Sequence, residues 1–169
     1  MSSSLKFMHI RAQEALKRAQ EAAGLKPVVT QTLGNAPDSN GFHAKDGTYT
    51  SASGAQVDYC AAVDFSVVQK ALRLRDNTKI AMDEIHIKWW LQKLAENGFV
   101  AWYRYQAAFD TPHIHAVYVG CKMKPQLRSQ VKDFLADRTG LAGHAHEEFW
   151  TASAGIDAQL KALFEANNF

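Results

Sequence analysis

The spacing of apolar residues along the chain predicts four helices. Apolar positions recur every three or four residues in these stretches, as on one face of a helix. Gly24 and Gly98 end the first two stretches, and glycine commonly ends a helix. Pro125 begins the third, and proline is favoured in a first helical turn. The predicted helices cover residues 5–24, 79–98, 125–140 and about 155–166.

Short runs rich in β-branched or alternating aromatic residues predict strands between the helices. The predicted strands cover residues 27–33, 57–68, 99–106 and 113–119. The last two are expected to pair. Residues 34–56 contain four glycines and many small polar residues, which predicts a long loop. Together the elements predict one domain over residues 1–169, of the α+β class, with helices packed on a small, mostly antiparallel sheet.

Composition and charge narrow the functional classes. The chain has 169 residues, 47% of them hydrophobic, which suits a single globular domain with a core. The net charge is +2 and the basic residues are dispersed, so a nucleic-acid partner is not expected. No apolar run approaches the length of a membrane span, and no secretory signal precedes the first helix. We therefore expect synthesis in the cytoplasm, with release or export by another route if the protein acts outside.

The stretch "FDTPHIHAVYVG" places two histidines in a predicted strand. Because side chains alternate along a strand, His113 and His115 are expected to share one face of the sheet. Such a pair can bind a metal, or can supply one ligand and one residue that supports it by a hydrogen bond. Asp110 lies before Pro112 in a turn, from where it could act as a general base.

Two further residues complete a candidate metal site. Asp64 lies in the apolar run "AAVDFSV", where a carboxylate needs partners or a metal ion. His43 lies in the long loop, and a bound metal would hold it in place. With His113 they form a set of two histidines and one carboxylate, which is typical of catalytic zinc. Asp58 is a weaker candidate, and His9 and His86 are expected to be structural or at the surface.

These segments resemble the peptidase M15 group of zinc peptidases, which includes D-alanyl-D-alanine carboxypeptidases and phage L-alanyl-D-glutamate endopeptidases. The run "YCAAVDFS" is similar to the family's block that ends in its carboxylate ligand, and "DTPHI" to its acid-x-x-His block. The resemblance implies Asp64 and His113 as ligands and Asp110 as the base. It implies that His115 supports a ligand. It covers residues 25–120, a metallopeptidase-like core with a Hedgehog/DD-peptidase fold, and leaves 121–169 as a C-terminal helical part.

Two positions depart from the family. Its first histidine lies seven residues before the aspartate, where this chain has Val57. We expect His43, displaced by an insertion, to supply this ligand; replacement by Asp58 or a damaged site are the alternatives. The family's arginine after the first strand is also missing, since Gln31 stands there. Arg104 or Lys45 are the candidates to replace it.

The resemblance implies a zinc-dependent peptidase that hydrolyses stem-peptide bonds of peptidoglycan, with Zn²⁺ as cofactor and Asp110 as general base. Two alternatives stay open. The pair "HIH" also fits the HUH nucleases, although Tyr118 is the last tyrosine and no helix after the motif contains one. The missing first histidine also suits a zinc-bearing binding domain without catalysis.

Overall fold

The described residues form four helices and a small antiparallel sheet. A computed structural model describes residues 7–34, 41–68, 71–73, 78–105, 111–140 and 149–168. The helices are α1 (Ile10–Ala23), α2 (Glu84–Glu96), α3 (Pro125–Phe134) and α4 (Ala154–Asn168). The strands are β1 (Lys26–Pro27), β2 (Val29–Gln31), β3 (Gly47–Thr50), β4 (Gln56–Tyr59), β5 (Ala62–Ser66), β6 (Leu72–Arg73), β7 (Lys79–Ile80), β8 (Phe99–Arg104) and β9 (His113–Tyr118). The predicted α+β class is confirmed.

The main sheet has the strand order β2-β5-β9-β8, and its neighbours are antiparallel. The predicted pairing of β8 with β9 is therefore confirmed, in a register that joins Trp102 to His115. Strand β5 lies on the other side of β9, and its register joins Asp64 to His115. The short strands form a β1-β6-β7 sheet and a β3-β4 hairpin.

The element boundaries differ from the predictions where polar groups terminate an element. Helix α1 begins at Ile10 because the His9 imidazole caps it, with Nδ1 accepting from the backbone N–H of Arg11 at 3.2 Å. The predicted strand 57–68 is two strands, β4 and β5. Strand β3, one half of the β3-β4 hairpin, lies in the second half of the predicted loop 34–56. Residues 35–40 lie outside the described part.

The two faces of the main sheet are covered by different helices. On one face, Phe65 meets Trp90 of α2 edge to face, and both are fully buried. Asp64 points to the opposite face, because neighbouring side chains alternate along a strand. That face is covered by α3, whose Gln130 contacts His115. Asp64 and His115 are thereby enclosed between the sheet and α3.

None of the helices in the described ranges is long and apolar enough to cross a membrane.

Candidate metal centre

His115 and Asp64 face each other across two paired strands. The register of β5 and β9 places the two residues directly opposite. His115 Nδ1 lies 2.8 Å from Asp64 Oδ1, and the residue is 5% exposed. The second ring nitrogen, Nε2, lies 3.1 Å from Gln130 Oε1 of α3. Both nitrogens of this buried imidazole therefore have an oxygen neighbour.

His43 approaches the same carboxylate from the loop between β2 and β3. Its Nε2 lies 3.0 Å from Asp64 Oδ2, and the residue is 2% exposed. Its Nδ1 lies 2.9 Å from the carbonyl oxygen of Thr32, which directly follows β2. A positive φ of 79° at Gly41 starts the turn that carries His43, and the N–H of Ala44 closes it on the Gly41 carbonyl at 3.1 Å.

A lysine from the start of α3 fixes this turn. Lys124 Nζ donates to the carbonyl oxygens of Phe42 and Ala44, at 2.9 and 2.7 Å, which are the residues on either side of His43. It also lies 3.4 Å from the carboxylate of Asp46, whose side chain is fully buried. Asp46 in turn accepts from the backbone N–H groups of Ala61 and Lys124, at 2.7 and 2.8 Å. The turn is held by the protein itself.

The hydrogen-bond arrangement leaves electron pairs directed at Asp64. The Thr32 carbonyl can only accept, so His43 Nδ1 must carry a proton. A neutral His43 then presents a bare Nε2 to a carboxylate oxygen 3.0 Å away. As the Gln130 amide is oriented, His115 repeats this pattern, with Nε2 donating and Nδ1 facing Asp64. A proton or a cation between His43 Nε2 and Asp64 would satisfy both atoms. Metal-binding histidines are typically held by an oxygen on their other ring nitrogen, as His43 is by the Thr32 carbonyl.

The ionisation states suit a cation. Burial raises the pKa of Asp64, but the His115 and His43 imidazoles beside its carboxylate outweigh burial and hold that pKa well below the usual range. Burial lowers the pKa of His115 below its ordinary value, against the opposing effect of Asp64. An ionised carboxylate and a neutral imidazole are the forms that coordinate a metal ion.

Aromatic and cationic side chains pack on the centre. The Trp102 ring stacks on His115, with centroids 5.8 Å apart and planes at 25°. The Phe42 ring meets His115 edge to face at 6.2 Å. The Arg104 guanidinium lies 4.8 Å from the centroid of the Trp102 ring, and burial lowers the pKa of Arg104 to about 10 although Asp64 raises it. Arg104 therefore remains a cation at neutral pH.

The structure brings together two of the three predicted ligands. His43, Asp64 and His115 each offer one donor atom, and these atoms lie within 4.8 Å of one another, so the cluster could hold a metal ion. The third member is His115, which the sequence predicted as a residue supporting a ligand, and not the predicted ligand His113. The predicted base, Asp110, lies outside the described residues.

His113 lies at the first position of β9, two residues before His115. It pairs with Ser66 and Arg104 in the sheet register, and its Nδ1 lies 2.9 Å from the carbonyl oxygen of Thr111. The acid-x-x-His spacing therefore ends on a residue next to the cluster and not in it. With His115 as the ligand, Asp110 precedes the ligand by five residues and not three.

The alternative first ligand lies away from the cluster. Asp58 is on β4, half exposed, and its Oδ1 forms an ion pair with Lys45 Nζ at 2.7 Å. Lys45 is thus engaged at the surface. Val57, at the family's first-histidine position, is the neighbouring residue of the same hairpin strand. Of the two residues considered for the first ligand, the structure places His43 against Asp64.

Sequence reasoning did not identify Thr32, Gln130, Lys124 or Asp46. Each acts on the cluster through a backbone carbonyl or a long-range hydrogen bond, and none belongs to a recognisable motif. The one available signal was Asp46, a second acid in the glycine-rich loop, three residues after His43.

Comparison with known proteins gives no match: no protein-family model, curated protein or solved structure is similar to this chain.

Proposed function

We propose that the protein is a zinc-dependent peptidase of the M15 type, with a Hedgehog/DD-peptidase-like fold, that hydrolyses peptide bonds in peptidoglycan stem peptides. The observation that carries the proposal is the convergence of His43, Asp64 and His115 on one point, with donor atoms within 4.8 Å. Two imidazoles and one carboxylate form the ligand set typical of catalytic zinc, which keeps a fourth position open. The motifs around Asp64 and His113 supply the peptidase assignment.

The donor set fits zinc better than a harder cation. Imidazole nitrogen is a preferred ligand for zinc, whereas magnesium and calcium favour oxygen. The Thr32 carbonyl and the Gln130 amide each hold the remote nitrogen of one imidazole, which orients both rings toward Asp64. When bound, a zinc ion would supply Lewis-acid chemistry, polarising a scissile carbonyl and making water a better nucleophile at neutral pH.

The proton of the attacking water needs an acceptor close to the cluster. Asp110 is the acceptor that the motif implies, and it lies in the segment before β9. His113 is a second candidate, because it begins β9 two residues from His115, roughly 7 Å along the strand. Either group would take the proton from water and pass it to the leaving amine. Loss of the true base should lower the rate about a hundredfold or more while leaving zinc in place.

The two alternative functions require different metal ligands. A HUH nuclease uses both histidines of "HIH" on one metal, whereas the donors brought together are those of His115, His43 and Asp64. A zinc-bearing binding domain without catalysis would use the observed cluster as it stands. Zinc content combined with hydrolysis of purified peptidoglycan separates this binding domain from the peptidase.

The experiment compares His115→Ala with His113→Ala in zinc content, zinc affinity and peptidoglycan hydrolysis. The parent should bind about one zinc per chain. His115→Ala should weaken zinc binding by more than about a hundredfold, since loss of a mere supporting hydrogen bond costs 10- to 100-fold. His113→Ala should keep zinc affinity.

Asp110→Ala completes the series. It should retain zinc and lose hydrolysis if Asp110 is the base, and retain both if His113 has that role. A parent protein that takes up no transition metal after zinc dialysis would refute the proposed metal centre. Full zinc loading without cleavage of any stem-peptide bond would refute the peptidase and favour the binding domain.

A further inference from the structure

A cleft runs along the free edge of the main sheet. Strand β8 is the last strand in the order β2-β5-β9-β8, so within the described ranges one edge of its backbone has no neighbouring strand. Five consecutive residues, 101–105, line the cleft. Because consecutive side chains point to opposite faces, a cavity that touches all five must lie against the strand edge and not against one face. Such an edge can pair with an extended peptide.

The opposite wall comes from the C-terminal part of the chain. It is formed by residues 137–139 after α3, residues 149–152 and Asp157 in the first turn of α4. Aromatic rings from Phe149 and Trp150 face the cleft together with Tyr105, which is 42% exposed. The cleft therefore combines a backbone edge with apolar walls, as peptide-binding grooves do.

Buried polar atoms without a hydrogen-bond partner among the described residues occur on two different parts of the lining. One is the donor Nε1 of Trp102, a residue that is 8% exposed. The other is the acceptor Oδ1 of Asp157. Buried polar atoms are normally paired, so an unpaired donor and an unpaired acceptor in one cavity point to a ligand that offers both. A peptide with a polar side chain has these groups.

The two carboxylates of the cleft favour a cationic group beside them, while the Arg104 guanidinium lines another part of the cleft. Asp137 and Asp157 both line it, and neither forms an ion pair with a cation in the described ranges. Burial, and then the negative charge of Asp137, raise the pKa of Asp157, as expected of two carboxylates without a counter-ion. Of the arginines in the lining, Arg138 is paired with Asp133 at 2.6 Å, and Arg104 donates to the Thr139 carbonyl at 2.7 Å.

We propose that an extended peptide with a primary ammonium side chain binds along the edge of β8, with the ammonium group between Asp137 and Asp157. The peptide would lie two strand spacings, about 10 Å, from His115 on β9. It would therefore hold a part of the substrate remote from the scissile bond. This inference rests on the proposed function only in identifying the peptide as part of a hydrolase substrate.

The test measures binding without catalysis. A capped five-residue peptide, acetyl-Ala-Ala-Lys-Ala-Ala-amide, is titrated calorimetrically into the full chain after treatment with a chelator. The same peptide with an acetylated lysine amine, and a version with N-methylated backbone amides, serve as ligand controls. Acetylation should weaken binding at least about tenfold through the lost charge pairing, and N-methylation should weaken it through lost strand pairing.

Protein variants locate the ammonium group. Asp157→Asn should weaken binding of the lysine peptide as much as acetylation does, and should leave the acetylated peptide unaffected. Asp137→Asn is the second variant, and it preserves the positive φ of 55° at this position because asparagine tolerates that conformation. Glu21→Gln, on the exposed surface of α1, is the matched control and should bind as the parent does.

The outcomes separate this inference from the proposed function. Absence of binding, equal affinity for the lysine and acetyl-lysine peptides, or unchanged affinity in both aspartate variants would overturn the cleft assignment. None of these results bears on zinc content or on hydrolysis. Conversely, a chain that binds no zinc but discriminates between the two peptides through Asp157 would retain the cleft and lose the peptidase.

Discussion

Replacing Lys124 by methionine should release the turn that presents His43. The ammonium group bonds the carbonyl oxygens of Phe42 and Ala44 at 2.9 and 2.7 Å and lies 3.4 Å from the buried carboxylate of Asp46. Its side chain is 17% exposed. Methionine keeps most of the buried stem and removes the charge and the donors, so the substitution isolates the polar contribution.

The expected cost follows from these contacts. A hydrogen bond from a charged donor contributes about 1.5–3 kcal/mol, so the two bonds to carbonyl oxygens correspond to about 3–6 kcal/mol. Removing the ammonium also relieves its own partial desolvation, and Asp46 keeps its two backbone donors. We therefore expect the free energy of unfolding to fall by about 2–4 kcal/mol. Zinc affinity should fall as well, because fewer molecules hold His43 in the binding position.

Urea denaturation of the metal-free protein measures the first effect, and competition with a zinc indicator measures the second. Lys122→Met is the matched control, since Lys122 is exposed and contributes only its backbone carbonyl, which accepts from the Tyr59 hydroxyl at 2.8 Å. This control should change stability by less than about 0.5 kcal/mol. If Lys124→Met is as stable as the control, the turn does not depend on the lysine and the reasoning fails.

Three further predictions concern parts of the chain outside the centre. Burial raises the pKa of Cys60 to about 12 and that of Cys121 still higher, so neither thiol should react with Ellman's reagent at pH 8 until the protein is unfolded. Burial, with Arg11, lowers the pKa of the capping His9 below 6.5, so the free energy of unfolding should decrease as the pH falls below 6.5, where the unfolded chain binds more protons. Gly98→Ala should destabilise by about 1–3 kcal/mol in denaturation, because φ is 86° and the new Cβ would lie 2.9 Å from a carbon of α4.

The spacing of apolar residues predicted the fold class and most elements, but it did not predict where the helices and strands end. Apolar spacing was sufficient for four helices and for the pairing of β8 with β9. Strand β3 was missed because it lies in a segment rich in glycine and small polar residues, whereas β4 fell within the predicted strand 57–68. The predicted third helix extended to residue 140, but α3 ends at Phe134, before the positive φ of Asp137. Such an ending depends on one residue's conformation, which periodicity does not record.

The types of side chain in the sequence identified candidate residues for the centre. Which of them are ligands depends on the pairing register of strands β5 and β9. An aspartate in an apolar strand indicated a partner, and the structure supplies two imidazoles for Asp64. A pair of histidines two positions apart cannot show by itself which one lies opposite that aspartate. The β5-β9 register decides it, joining Asp64 to His115 and leaving His113 opposite Ser66. A motif spacing that ends on His113 carries no information about this pairing.

The order of the His43 turn does not require a metal. A loop histidine flanked by glycines suggested that a bound ion would hold it, yet Lys124, Asp46 and the Thr32 carbonyl already fix the turn through the protein's own groups. A ligand fixed in advance loses less conformational entropy on metal binding, so affinity rises without a further contact. Metal removal should therefore leave the turn folded, and only the direct contacts between His43, His115 and Asp64 should change. Amide hydrogen exchange of Ala44, whose N–H bonds to the Gly41 carbonyl, reports this directly. Equal protection of this amide with and without zinc supports a centre that the fold itself preorganises. Loss of that protection on chelation would show that the metal orders the turn.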